Sequence, residues 1–204
     1  QFPNCIIFNM IESTLKSILP NVEISNLADN SEYNFQIKLA KSADLNCQII
    51  FTEGLSQRDQ QVTAGFEAFK KIELYFCLPA YWKLEADNWP VEWLNRVAAV
   101  PQKNDTWFGP GDTIPAGNPP QLLSDRFDAN HFMLAEPIEL SDVLSTEHWT
   151  EQGIKFLALI PISQTETDYK RRNSATILLQ RLEMKNYTEK VDMFRLSVCR
   201  KRFF

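Results

Sequence analysis

The stretch Asp105-Thr106-Trp107-Phe108-Gly109-Pro110-Gly111-Asp112-Thr113-Ile114-Pro115-Ala116-Gly117-Asn118-Pro119-Pro120 holds three of the chain's six glycines and four of its eleven prolines. That density excludes a helix. Each proline removes an amide donor and fixes φ, and each glycine admits turns closed to other residues. The stretch therefore reads as a rigid, irregular loop carried by regular elements on either side. Trp107 and Phe108 are placed to anchor it in a core or to offer a hydrophobic contact. A buried structural loop and a preformed partner-binding edge both fit, the second because rigid aromatic anchors lower the ordering cost of association.

The flanking sequence supplies those elements. Met10, Ile11, Leu15, Ile18 and Leu19 recur at helical spacing, so a helix is expected over Met10–Leu19, stopped by Pro20. Alternation of Tyr33, Phe35, Ile37 and Leu39 predicts a half-buried strand over Glu32–Leu39. Cys47–Thr52 and Lys71–Leu78 are β-type runs separated by a polar loop, Glu53–Gln61. Trp89-Pro90 opens a helix expected over Val91–Val100, with Pro101 as its stop. Further strands are expected at Phe132–Leu134 and Lys155–Ile160, and an amphipathic helix at Ser174–Met184. Strands and helices mix without regular β-α-β alternation. The expected fold class is α+β, with a mixed, largely antiparallel sheet flanked by helices. No stretch has the composition of a linker, so residues 1–204 read as one domain.

With 44% hydrophobic residues, 14 Phe and 5 Trp, the chain can fill a bulky core. No apolar run approaches the roughly 20 residues that span a bilayer, and no basic segment precedes an apolar stretch at the N-terminus. Cys5, Cys47, Cys77 and Cys199 are scattered without a CxxC pair, and Cys47 and Cys77 lie in apolar strand-like runs, as reduced buried thiols do. A cytoplasmic protein with no membrane association is expected. The net charge of −5 is uneven: residues 1–162 hold 11 Lys/Arg and 21 Asp/Glu, and residues 163–204 hold 10 and 5. The acidic body disfavours nucleic acid and favours a basic protein partner. The basic runs Lys170-Arg171-Arg172 and Arg200-Lys201-Arg202 read as solvated surface.

Catalytic patterns are lacking. The only histidines are His131 and His148, and neither stands in an HxxxH or HExxH spacing. His131 precedes Phe132-Met133-Leu134 and reads as a strand-entry residue. Cys77 is the one cysteine worth testing for a Cys–His dyad. Gly109-Pro110-Gly111 lacks the GxxxxGK[ST] phosphate pattern, and no helix is expected after it. No cofactor and no metal are expected. The competing readings are a binding module, a regulatory or scaffolding binder of a cellular client, and an enzyme with a site around Asp112, Asp105 and His131.

Five pieces, in order, carry a resemblance: Thr52-Glu53-Gly54-Leu55-Ser56, Glu73 through Trp82, Trp89-Pro90 with the 105–117 loop, Ile154 through Pro161, and Leu178 through Leu182. Together they resemble the suppressor of fused family over roughly residues 47–198, where Leu55 replaces a Met of the family's turn. The resemblance implies a protein-binding domain without catalysis. Animal members hold a peptide of a transcription factor by strand pairing in a groove. Bacterial members are often single-domain proteins, many of them inferred to be immunity proteins that neutralise toxins, and the acidic body would speed encounter with a basic toxin such as a nuclease. It also implies a site. Asp112 takes the place of an Asp that contacts the bound peptide in animal members, where many bacterial members carry His. Val100 falls where the animal groove has an aromatic residue. Trp107, Phe108, Gly109, Gly111, Asp112, Thr113, Ile114 and Val100 are the expected partner-binding residues.

Overall fold

The computed structural model describes residues 10–199, so Cys5 and the Arg200-Lys201-Arg202 run lie outside the described residues. Its frame is a seven-stranded sheet: β1 (Glu23–Asn30), β2 (Phe35–Lys41), β3 (Cys47–Glu53), β4 (Lys71–Pro79), β5 (Thr113–Pro115), β6 (His131–Ala135) and β7 (Ile154–Ile162). The spatial order is β1-β2-β3-β4-β7-β6-β5, with β4 and β7 parallel and every other pair antiparallel. The largely antiparallel α+β sheet expected from the sequence is the one observed.

The central strands are apolar on both sides because both sheet faces are covered. Along β4, Ile72, Leu74, Phe76 and Leu78 pack against one face under α2 (Trp89–Lys103), while Tyr75 and Cys77 pack against the other. The second face is covered by α1 (Met10–Ile18) through Ile11 and Leu15, and by two short helices, α3 (Ser141–Leu144) and α4 (Glu147–Glu151), with Trp149. After β7 come α5 (Gln164–Arg172) and α6 (Ala175–Glu183), whose Leu178 and Leu182 join the same core.

Buried charges tie the elements together. The Glu53 carboxylate accepts from Ile11 N–H at 2.9 Å, at the start of α1, and pairs with buried Lys38 at 2.5 Å. Glu189, with no exposure, accepts from the amides of Ile138, Glu139 and Leu140 at 2.9–3.0 Å and from the Tyr75 hydroxyl. Glu166, also fully buried, caps α5 through Ser163 N–H and forms a two-pronged pair with Arg195 at 2.6 and 2.9 Å. Through Glu189 to Tyr75 and Arg195 to the Pro161 carbonyl, the segment after α6 is bound onto the sheet.

Three expectations need correction. Pro101 does not stop α2, which runs on to Lys103. A proline in the last turn forfeits one bond, and the Asn104 and Thr106 amides still close onto Val100 and Pro101 carbonyls. The strand expected from Glu32 begins at Phe35, because residues 31–34 form a turn with Asn34 at φ 57°. Finally, the 105–120 stretch is not wholly irregular, since it contains β5.

That strand sets the location of the site. After β4 the chain crosses the sheet as α2, runs through the loop, and pairs at the far edge as β5 and then β6 before β7 fills the gap beside β4. β5 is an outermost strand, with the loop at its entrance.

Candidate functional site

Gly109-Pro110-Gly111-Asp112 folds as a β-turn in which Asp112 N–H donates to the Gly109 carbonyl at 3.2 Å. Proline second and a glycine at φ +90° third are the requirements of a type II turn. The turn is locked a second time, because Asp112 Oδ2 accepts from Gly109 N–H at 2.8 Å. Phe108 is 5% exposed and belongs to the core on the α2 face. Trp107 is only partly buried and rests on Phe66, ring centroids 5.0 Å apart. Of the two roles open to these aromatics, Phe108 takes the anchor and Trp107 leaves a ledge at the surface.

The loop is braced from behind. Gln60 Oε1 accepts from Phe108 N–H at 2.9 Å while its Nε2 donates to the Phe108 carbonyl at 3.0 Å and the Phe69 carbonyl at 2.9 Å. Gln60 follows the turn held by Glu73, whose carboxylate receives Thr52 Oγ1 (2.6 Å), Gly54 N (3.0 Å), Ser56 N (3.0 Å) and Ser56 Oγ (2.7 Å). Two of the motifs noted in the sequence, residues 52–56 and Glu73, are thus halves of one buried knot. Complete burial pushes the Glu73 carboxyl up to about 7, against the pull of its four donors. A cavity of about 80 Å³ behind Gln60, lined by Leu55, Ile72, Ala98 and Pro101, is too small for an ordinary small-molecule ligand of roughly 300 Å³ or more.

β5 has an open side. Leu134 N–H donates to the Asp112 carbonyl and Ala116 N–H to the Asn130 carbonyl, so even-numbered residues face β6. Thr113 therefore turns its N–H and C=O outward, and among the described residues neither has a partner. Pro115, the other outward position, has no N–H to leave unpaired, and its carbonyl accepts from Gly117 N–H. The opening is one residue long, flanked by the rigid turn.

The two faces beside it differ. Ile114, partly exposed, lies opposite Phe132, on which Trp93 of α2 packs with centroids 5.7 Å apart. Val100 lies seven residues further along the same helix face, partly buried against the same core. On the other face Lys170 Nζ donates to Thr113 Oγ1 at 2.8 Å. Thr113, Ile114, Asp112 and the turn glycines are therefore brought together, with Val100 and Trp107 set back at the periphery. Gln60, Trp93 and Lys170 were not singled out in the sequence. The Lys170-Arg171-Arg172 run was visible, but only the fold places it beside a strand edge.

No acid–base pair assembles here. Asp112 and His131 stand at opposite ends of the β5–β6 ladder, and Asp105 is exposed on the far side of the turn. His131 opens β6 at 3% exposure with Nδ1 2.8 Å from Asn130 Oδ1; burial and then nearby Arg171 hold it below the usual histidine range. Cys77 has no exposure, and its neighbour Cys47, then burial, pushes its thiol far up. Among the described residues no three His, Cys, Asp or Glu side chains converge as a metal site, and no helix is long and apolar enough to cross a membrane.

Comparison with known families decides the lineage: residues 33–196 match the family described as suppressor of fused protein (SUFU). The chain belongs to the suppressor of fused family. The match begins earlier than the resemblance read from motifs, taking in β2. Suppressor of fused proteins form a non-catalytic binding and regulatory family. Among solved structures, a suppressor of fused homologue from Neisseria gonorrhoeae FA 1090 is similar with a TM-score of 0.72 at 17% identity, covering 96% of this chain and 98% of that one. The Sufu–Fu complex gives 0.58 at 14%, covering 94% and 92%. Drosophila Suppressor of Fused gives 0.57 at 14%, covering 92% of this chain and 50% of that one. At such identities the likeness is one of fold. Among curated proteins no relative matches.

Proposed function

We propose that this chain is a non-catalytic protein-binding domain that receives an extended segment of its partner along β5, and that the partner is a toxin which the chain neutralises. The observation that carries the docking reading is the unpaired backbone of Thr113 at a sheet edge held rigid by the Gly109–Asp112 turn and by Gln60. Strand addition needs an open edge and pockets for alternate side chains. Here Ile114 and Trp93 supply one side and Thr113 and Lys170 the other, with Asp112, Trp107, Phe108, Gly111 and Val100 framing the entrance. A pre-set edge lowers the ordering cost of binding. The Sufu–Fu complex is a structure of a suppressor of fused protein with a protein partner, which supports the same reading here.

The toxin reading draws on the family resemblance and on the net charge of −5, which attracts a basic partner from a distance. The test is affinity capture with wild-type and Thr113→Pro baits, then co-expression of the captured protein with this chain. The proposal expects wild-type but not Thr113→Pro to retain the partner, and expects co-expression to restore growth of cells poisoned by it. Retention without any growth effect would move the chain to the regulator class. Equal retention by both baits contradicts the edge.

A further inference from the structure

The two faces flanking the β5 edge are chemically unlike, and that contrast specifies the segment that fits. Thr113 and Pro115 share the face covered by α5, where Lys170, Arg171 and Arg172 stand, and Ile114 points to the α2 face. Lys170 is partly buried, yet only one of its donors is used, on Thr113 Oγ1, and among the described residues no carboxylate pairs with it. Burial holds its ammonium below the usual lysine range. Asp112 is the carboxylate whose charge reaches Lys170, without forming an ion pair with it. Asp112 Oδ2 takes the Gly109 amide, and Asp168 accepts from Gln164 at 2.9 Å and lies 4.0 Å from Arg171. On the α2 face Ile114 lies opposite Phe132, on which Trp93 packs, and both Ile114 and Trp93 are partly exposed.

We propose that the β5 edge selects an extended segment with an acidic side chain opposite Thr113 and apolar side chains at the two adjoining positions. The inference rests on the reading of this edge as a docking site. A residue that exchanges backbone hydrogen bonds with Thr113 must point its side chain to the face Thr113 occupies, toward Lys170. Its neighbours then fall on Ile114 and Trp93. A half-desolvated ammonium with idle donors gains from a carboxylate and rejects a second cation. The acidic body acts on the partner as a whole at long range, whereas the edge acts at contact. A partner that is basic overall and presents one acidic–apolar strand satisfies both.

The test uses the full chain and three synthetic nine-residue peptides of alternating Val and Thr, differing only in Glu, Gln or Lys at the centre of the α5-facing set. Calorimetry is expected to rank Glu above Gln by about tenfold, with Lys weakest. Lys170→Met should bring the Glu and Gln peptides together without abolishing binding, and Lys170→Glu should invert the order of Glu and Lys. Thermal unfolding of each variant checks the fold. Equal affinities for the three peptides, or an order indifferent to Lys170, overturns this inference while leaving the edge reading intact. Binding of none of them, even at millimolar peptide, overturns the edge reading itself.

Discussion

The Gln60 carboxamide brackets the backbone of Phe108, accepting its N–H at 2.9 Å and donating to its C=O at 3.0 Å, so one side chain stands in for a neighbouring strand. Gln60→Ala leaves both Phe108 groups without that partner. The expected cost is about 1–3 kcal/mol in chemical denaturation, with faster amide exchange at Phe108 than at core positions such as Phe76.

Gly109 is glycine because Trp107 crosses over it. A Cβ at that position would stand 2.6 Å from Trp107 Cζ3. Gly109→Ala should therefore destabilise the fold by about 1–3 kcal/mol. Trp107→Ala, removing a ring that is only partly buried, should leave a folded protein. The double variant is the check: its loss should be smaller than the sum of the single losses, because the clash goes with the ring.

Glu73 holds its proton to about pH 7 in the folded chain, whereas an unfolded carboxyl loses it near 4.5. Between those values the folded state binds more protons, so stability falls as pH rises through that window and levels off above it. The Thr52 hydroxyl, 2.6 Å away, can accept the carboxyl proton when present and donate when it is not. Glu73→Gln is the neutral mimic. The wild-type stability minus that of Glu73→Gln should decline by at most about 3 kcal/mol across the window in urea titrations, and stay flat above it.

Glu166 behaves in the opposite sense. Burial alone would raise its pKa, but Arg195 outweighs burial and holds the carboxyl below the usual range. The stability it contributes is present above the ordinary carboxylate pKa and is lost as pH falls below it. Arg195→Met strands a buried carboxylate and should cost about 3–5 kcal/mol at neutral pH, with the loss shrinking on acidification as Glu166 protonates.

How far the sequence disclosed this molecule depends on where each element draws its stability. β3, β4 and β7 were legible because buried strands must be continuous apolar runs. β1 escaped notice because none of its eight residues is buried at the opposite edge, and a bulge between Asn26 and Ala28 breaks its pairing. α5 has no apolar stripe and stands on its Ser163–Glu166 capping box, a four-residue signal that could have been read. The loop's rigidity was readable from Gly and Pro, but β5 within it was not, since three residues give no periodicity. Gln60 is 48 positions from Phe108, and Lys170 is 57 from Thr113, so neither contact leaves a local trace.

The most direct measurement of the central claim is amide hydrogen exchange at Thr113, resolved by NMR in the free chain and in the complex with the captured partner. The account predicts exchange near the solvent-exposed rate in the free chain, beside protected Ile114, and strong protection of Thr113 on binding. A Thr113 amide already protected in the free chain, or one still exchanging freely in the complex, contradicts it.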